Sequence, residues 1–233
     1  MQTILKSRTK EVMIAPDQPF IMIGERINPT GRKRLTAALT EGNLDYVRQL
    51  ALEQASWGAD VLDVNVGAPG IDEVETMKAV VELLASVSDL PLCIDSANPD
   101  VLAAGLAVAP GKPMVNSVSG EEKKLETILP LVKERGAAVI GLTIDDRGIP
   151  QTPEERVAVA EKILERAAQL GIPTEDVVID PLVLTVGSDS KSAWITLQTI
   201  EILRKSMWAE TVDQRLQCLL RPGGTTCHHM WSF

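Results

Sequence analysis

Short, β-rich apolar runs recur along this chain, each followed by a stretch with helical spacing, and this alternation narrows the possible folds sharply. The runs are FIMIGE (20–25), DVLDVNV (60–66), LPLCID (90–95), PMVNS (113–117), AAVIGLTI (137–144) and DVVID (176–180). Between them lie amphipathic faces: Leu44, Val47, Leu50, Ala51 and Ala55; Val74, Met77, Val80, Val81 and Leu84; Leu125, Ile128, Leu129 and Val132; Val157, Ala160, Ile163, Leu164 and Ala167. A strand followed by a helix, repeated about every 25 residues, predicts parallel strands joined by right-handed crossovers. The strands are apolar on both faces, as in a sheet covered by helices or closed on itself.

The helix edges are marked in the sequence. Asn43 reads as an N-cap, Pro99 as a first-turn proline, and Thr152-Pro153-Glu154-Glu155 as an N-terminus with acidic first-turn residues. Gly58, Gly136 and Gly171 fall where helices should end. Six βα units are expected over residues 21–205. Residues 2–16 alternate polar and apolar around a polar turn, so residues 1–20 read as a β-hairpin closing one end of the sheet.

Composition excludes several functions. A net charge of −9 without a basic run removes the electrostatic footprint for nucleic acid, and 3% aromatic residues argue against a base-stacking platform. No apolar run approaches the roughly 20 residues of a membrane span, and Met1–Lys10 is too polar for a secretion signal. Three irregularly spaced cysteines, Cys93, Cys218 and Cys227, suit a reducing compartment, so a cytoplasmic chain is expected.

The chemistry lies at the C-terminal ends of the strands. There the sequence carries Glu25, Arg26 and Asn28; Asp63 and Asn65; Asp95 and Ser96; Asn116 and Ser117; Thr143 and Asp145; and Asp180. In parallel α/β folds these ends converge on the ligand-binding side. One such residue could be a helix cap, but the succession along six strands points to a site. Many carboxylates and amides with few cations suit a neutral heterocycle rich in N–H donors and acceptors better than a phosphate. Cys93, inside an apolar strand, reads as a small core residue. Asp145-Asp146-Arg147-Gly148 reads as an exposed turn.

In order and with natural spacing, MIGERINPTG, GADVLDVNVGAPG, PLCIDSANPDVLAAGL, MVNSVSGE, GAAVIGLTIDDRGIP and VVIDPLVLTVG resemble the successive blocks of pterin-binding methyltransferases. These act on methyltetrahydrofolate and a corrinoid protein and include the folate domain of cobalamin-dependent methionine synthase. The resemblance implies a (β/α)8 TIM barrel of the dihydropteroate synthase-like type. Asp95, Asn116 and Asp180 would hydrogen-bond the pterin, while Glu25, Asn28, Asp63 and Asn65 would line or support the pocket. It also implies transfer of the N5-methyl group to the cobalt of a corrinoid carried by a partner protein or domain, with Asn116 the catalytic candidate near N5. A homodimer, no metal ligand set, and neither nucleic-acid nor membrane partners are expected. Dihydropteroate synthase is the rival within the superfamily, and a non-catalytic pterin-binding fragment is the alternative of another class. The synthase usually carries an Asn-Val-Thr-Pro-Asp-Ser-Phe block on its first strand and Gly-Phe-Gly-Lys after the Asp-Pro of the sixth. Here those places read GERINPTG and LVLTVGSDSK, which favours the corrinoid branch.

The pattern breaks after Lys205. Residues 206–233 show no seventh strand and concentrate two of the four tryptophans and both histidines, as a shifted or prematurely ended reading frame would. Cys227-His228-His229 lacks a second ligand cluster and makes a poor zinc site. An incomplete barrel predicts apolar edges prone to association.

Overall fold

The computed structural model describes residues 2–15, 18–183 and 190–206. The expectations for residues 206–233 fall beyond these, apart from Ser206 at a helix end. The chain forms two compact units, one built on Ile4–Met13 and Ile21–Asn116 and the other on the residues that follow Asn116 together with short N-terminal pieces.

The first unit contains strands β1 (Thr3–Lys6), β2 (Glu11–Ile14), β3 (Ile23–Ile27), β4 (Val61–Asn65), β5 (Leu92–Asp95) and the start of β6 (Met114–Ser119). Its helices are α1 (Lys33–Thr40), α2 (Asp45–Ser56), α3 (Glu73–Val87) and α4 (Pro99–Val108). From β3 to β6 the strands lie side by side in chain order, parallel throughout. β1 and β2 form the expected hairpin, tightened by the Ser7 N–H donating to Lys10 O at 2.9 Å. It attaches near the N-terminal ends of other strands. Lys6 and Lys112 exchange backbone hydrogen bonds of 2.9 Å, and Thr9 Oγ1 donates to Asp89 Oδ1 at 2.8 Å.

Leu62, Val64, Ile94 and Val115 are buried alongside the helix residues Met77, Val80, Val81, Leu84, Val101 and Leu102. Each such aliphatic side chain contributes roughly 1.5–3 kcal/mol on leaving water. Gly105 lets α4 come close: a Cβ there would stand 2.8 Å from Ile94 Cγ2 and 2.9 Å from Met77 Cγ. Asn98 caps α4 by accepting from the Asp100 N–H at 3.0 Å, with Pro99 in the first turn as expected. α2 begins later than its marker suggested. Leu44 is the N-cap, and Asn43 Oδ1 accepts from the Asp45 N–H at 3.1 Å in a turn just outside the helix.

In the second unit α5 (Glu122–Arg135), β7 (Ala138–Leu142), α6 (Pro153–Gln169), a 3-10 turn at Thr174–Asp176, β8 (Val177–Asp180) and α7 (Ser190–Ser206) follow one another, with β7 and β8 parallel. Thr152 caps α6 through the Glu155 N–H at 3.3 Å, and Gly136 ends α5 at φ 63°. Val157, Ala160, Ile163, Leu164 and Ala167 are all buried, as the helical spacing predicts. All six expected βα units are therefore present, and the fold is α/β and TIM-barrel-like. Among the described residues, no helix is long and apolar enough to cross a membrane.

Candidate functional site

Register creates the site in the first unit. Asp63 of β4 lies beside Cys93 of β5, which lies beside Met114 of β6; one step toward the strand ends, Asn65, Asp95 and Asn116 form the next row. Alternation along each strand puts both rows on the same face. Two side-chain bonds cross the strands there. Asn65 Nδ2 donates to Asp95 Oδ2 at 3.0 Å, and Asn116 Nδ2 donates to Asp63 Oδ1 at 3.1 Å. Asn65 Oδ1 accepts from the Gly67 N–H at 2.8 Å, and Asn116 O accepts from the Ser96 N–H at 3.2 Å.

Glu25 joins this cluster electrostatically. It is 6% exposed and Asp63 is 3% exposed. Burial pushes Glu25 up to about 7, against the pull of Arg32 and Arg26, and the charge of Asp95 adds to the rise. Burial likewise lifts Asp95 to about 6, while the hydrogen bond from Asn65 opposes it. Asp63 is held well above the ordinary carboxylate range by burial and by Asp95, despite the hydrogen bond from Asn116. Such a group of carboxyls does not carry a full set of charges at neutral pH, so it can both donate and accept hydrogen bonds. Arg32 Nη2 stands 3.6 Å from Glu25 Oε1, an oxygen without a hydrogen-bond partner among the described residues.

Other expected site residues take different places. Asn28 Oδ1 accepts from the Thr30 N–H at 3.0 Å, shaping the turn after β3 and standing outside the cross-strand network. Asp180 closes β8 at 1% exposure. Its Oδ1 accepts from the Leu182 N–H at 2.7 Å, and Oδ2 has no partner among the described residues. Burial pushes Asp180 up to about 7, with the Leu182 N–H and Arg156 pulling it down. Asp145 pairs with Arg147 at 2.7 Å in the expected turn. Among the described residues, no group of three or more His, Cys, Asp and Glu side chains is placed to hold a metal ion.

Residues 24–213 match the pterin binding enzyme family. The chain belongs to that family. Methionine synthase of Mycobacterium tuberculosis is 33% identical over 201 residues, covering 83% of this chain and 17% of that protein. The methylcorrinoid:tetrahydrofolate methyltransferase of Eubacterium limosum is 32% identical over 178 residues, covering 74% of this chain and 64% of that enzyme. The chain thus spans a small part of the methionine synthase and just under two thirds of the methyltransferase. Among solved structures, the dihydropteroate synthase of Xanthomonas albilineans with 4-aminobenzoic acid superposes with a TM-score of 0.66 at 20% identity, covering 88% of this chain and 75% of that one. The Yersinia pestis enzyme with a pterine-sulfa conjugate gives 0.60 at 19% identity, covering 91% and 83%. At such identities these two structures establish the fold of this family member.

Three residues around the carboxylates escaped the sequence reading: Arg32, Gln54 and Arg156. Gln54, on α2, is buried and accepts from the Arg26 N–H at 2.8 Å, supporting the strand that carries Glu25. Arg156 had a visible signal, because it lies four residues before Ala160 on the buried stripe of α6.

Proposed function

We propose that this chain binds the pterin ring of methyltetrahydrofolate and promotes transfer of its N5-methyl group to the cobalt of a corrinoid carried by a partner protein or domain. The observation that carries this reading is the crossed pair of hydrogen bonds, Asn65 to Asp95 and Asn116 to Asp63, which holds one half-buried and one buried carboxyl on one face of adjacent strands. A pterin presents its 2-amino group and ring N–H together along one edge, and paired carboxylate oxygens complement that edge. Mostly preformed sites with a few convergent polar groups are the usual form of small-ligand recognition. The methyltransferase relatives support the corrinoid branch; the synthase structures share the fold at lower identity.

In this reading Asp95 and Asp63 orient the ring, and Asn65 and Glu25 support them. Asn28 borders the site, and Asp180 contributes on the strength of the family resemblance. Neutral tetrahydrofolate is a poor leaving group, so N5 needs a proton or a strong hydrogen bond as its bond to the methyl carbon breaks. Asn116 is the proposed residue near N5, helping to stabilise the nitrogen lone pair that forms. The corrinoid supplies the cobalt nucleophile; this chain supplies binding, orientation and N5 activation.

The test has two stages. Calorimetric titration of the chain with methyltetrahydrofolate should give one site per chain, and addition of Co(I) cobalamin should yield methylcobalamin by its absorption spectrum. Absence of binding, or formation of pteroate from a pterin pyrophosphate and p-aminobenzoate, would overturn the proposal.

A further inference from the structure

Leu182 is the non-glycine residue with positive φ among the described residues, at 63°. A leucine in that conformation is strained and persists only where its surroundings fix it. Here the fixing group is a buried arginine. Arg156, 1% exposed, donates from Nη1 to Pro181 O at 2.7 Å, to Leu182 O at 2.8 Å and to Thr196 Oγ1 at 3.2 Å. Its Nε donates to Pro150 O at 3.1 Å. Thr196 Oγ1, on α7, donates to Leu182 O at 2.7 Å.

A guanidinium is expensive to bury, and an apolar side chain often packs as well or better. The structure gives this one a specific task. Its donors grip both carbonyls of the turn after β8, and that turn aims the Leu182 N–H at Asp180 Oδ1. One carboxylate oxygen is therefore occupied, and the carboxylate is held in one orientation with Oδ2 uncommitted. We propose that Arg156 is a positioning residue that clamps the Asp180-Pro181-Leu182 turn, so that Asp180 presents a single free oxygen to a ligand N–H. The inference rests on the proposed role of Asp180 in pterin binding. Arg156 is also the charged side chain that acts on Asp180; Thr143 and Thr196, the other side chains bonded to this segment, are neutral.

The test uses the full chain with Arg156→Met, Arg156→Lys and Thr196→Val. Carboxyl-carbon NMR of Asp180 should show its titration midpoint moving upward in Arg156→Met and staying near the wild-type value in Arg156→Lys, which retains the charge. Methyltetrahydrofolate affinity should fall at least tenfold in Arg156→Met and recover partly in Arg156→Lys. Thr196→Val should weaken binding severalfold while the Asp180 midpoint holds. If Arg156→Met does not fold, the other two variants carry the test: unchanged affinity in both overturns the proposal. An unchanged Asp180 midpoint in folded Arg156→Met overturns it as well. Failure of the wild-type chain to bind methyltetrahydrofolate would instead refute the pterin reading, leaving the NMR titration to judge the clamp.

Discussion

Asn65 is held at both ends of its side-chain amide: Nδ2 donates to Asp95 at 3.0 Å, and Oδ1 accepts from the Gly67 N–H at 2.8 Å. The backbone of the β4–α3 loop thereby fixes which way the amide points, and the amide fixes Asp95. A loop glycine N–H thus orients a carboxylate on the neighbouring strand without touching it.

Asp95→Asn keeps the shape and removes a charged acceptor. Hydrogen bonds to charged groups contribute about 1.5–3 kcal/mol, so methyltetrahydrofolate should bind roughly ten- to a hundredfold more weakly. Asn65→Ala, which loses only the orienting partner, should cost less. Calorimetry decides, and affinity within twofold of wild type for Asp95→Asn would remove Asp95 from the site.

Stability should depend on pH through Glu25. Its folded value of about 7 lies above the ordinary 4.5, so the folded protein holds the extra proton. That contribution is fully present below pH 4.5 and is lost as pH rises through about 7. Its size is on the order of 3 kcal/mol, less whatever solvent screening removes. Glu25→Gln, neutral throughout, should lose less stability than wild type between pH 4.5 and 7.5. Melting temperatures at both pH values check this, and parallel losses in the two proteins would contradict it.

Gly105→Val should destabilise the first unit by about 1–3 kcal/mol, because added core volume forces Ile94 or Met77 from its place. Denaturant unfolding measures the change. A helical glycine ordinarily gains from replacement, so unchanged or raised stability would show that α4 has room to withdraw.

Cys93 should be chemically silent in the native protein. It is fully buried, and burial together with the neighbouring Asp63 pushes its thiol well above the ordinary range. Alkylation mapped by peptide mass spectrometry should mark Cys93 only at denaturant concentrations that unfold the chain. Rapid native labelling would mean that β5 opens locally.

The strands were legible because each is a short apolar run bounded by glycine, proline or a strand-end carboxylate. α1 was not: between Gly31 and Gly42 its buried residues are only Leu35, Ala38 and Leu39, too few for a period to stand out. The identity of the polar strand-end residues could be read, but their pairing could not. That Asn65 meets Asp95 while Asn116 reaches back to Asp63 depends on inter-strand register, which leaves no mark within any one strand. Asp63 illustrates the gap: it reads as a strand-end group like Asn65, yet it sits a row deeper, where burial raises it well above the ordinary carboxylate range. Arg156 stayed hidden because a cation on an amphipathic helix is normally taken for its wet side.

Lys6 and Lys112 meet through main-chain atoms, exchanging N–H and carbonyl bonds next to Gly111. These main-chain bonds do not depend on side-chain identity at positions 6 and 112, whereas position 111 must stay a glycine, because a Cβ there would stand 2.3 Å from Lys6 O. The Ser7–Lys10 turn nearby is consequently a place to attach a fluorophore or graft a tag while leaving the Asp95 row undisturbed.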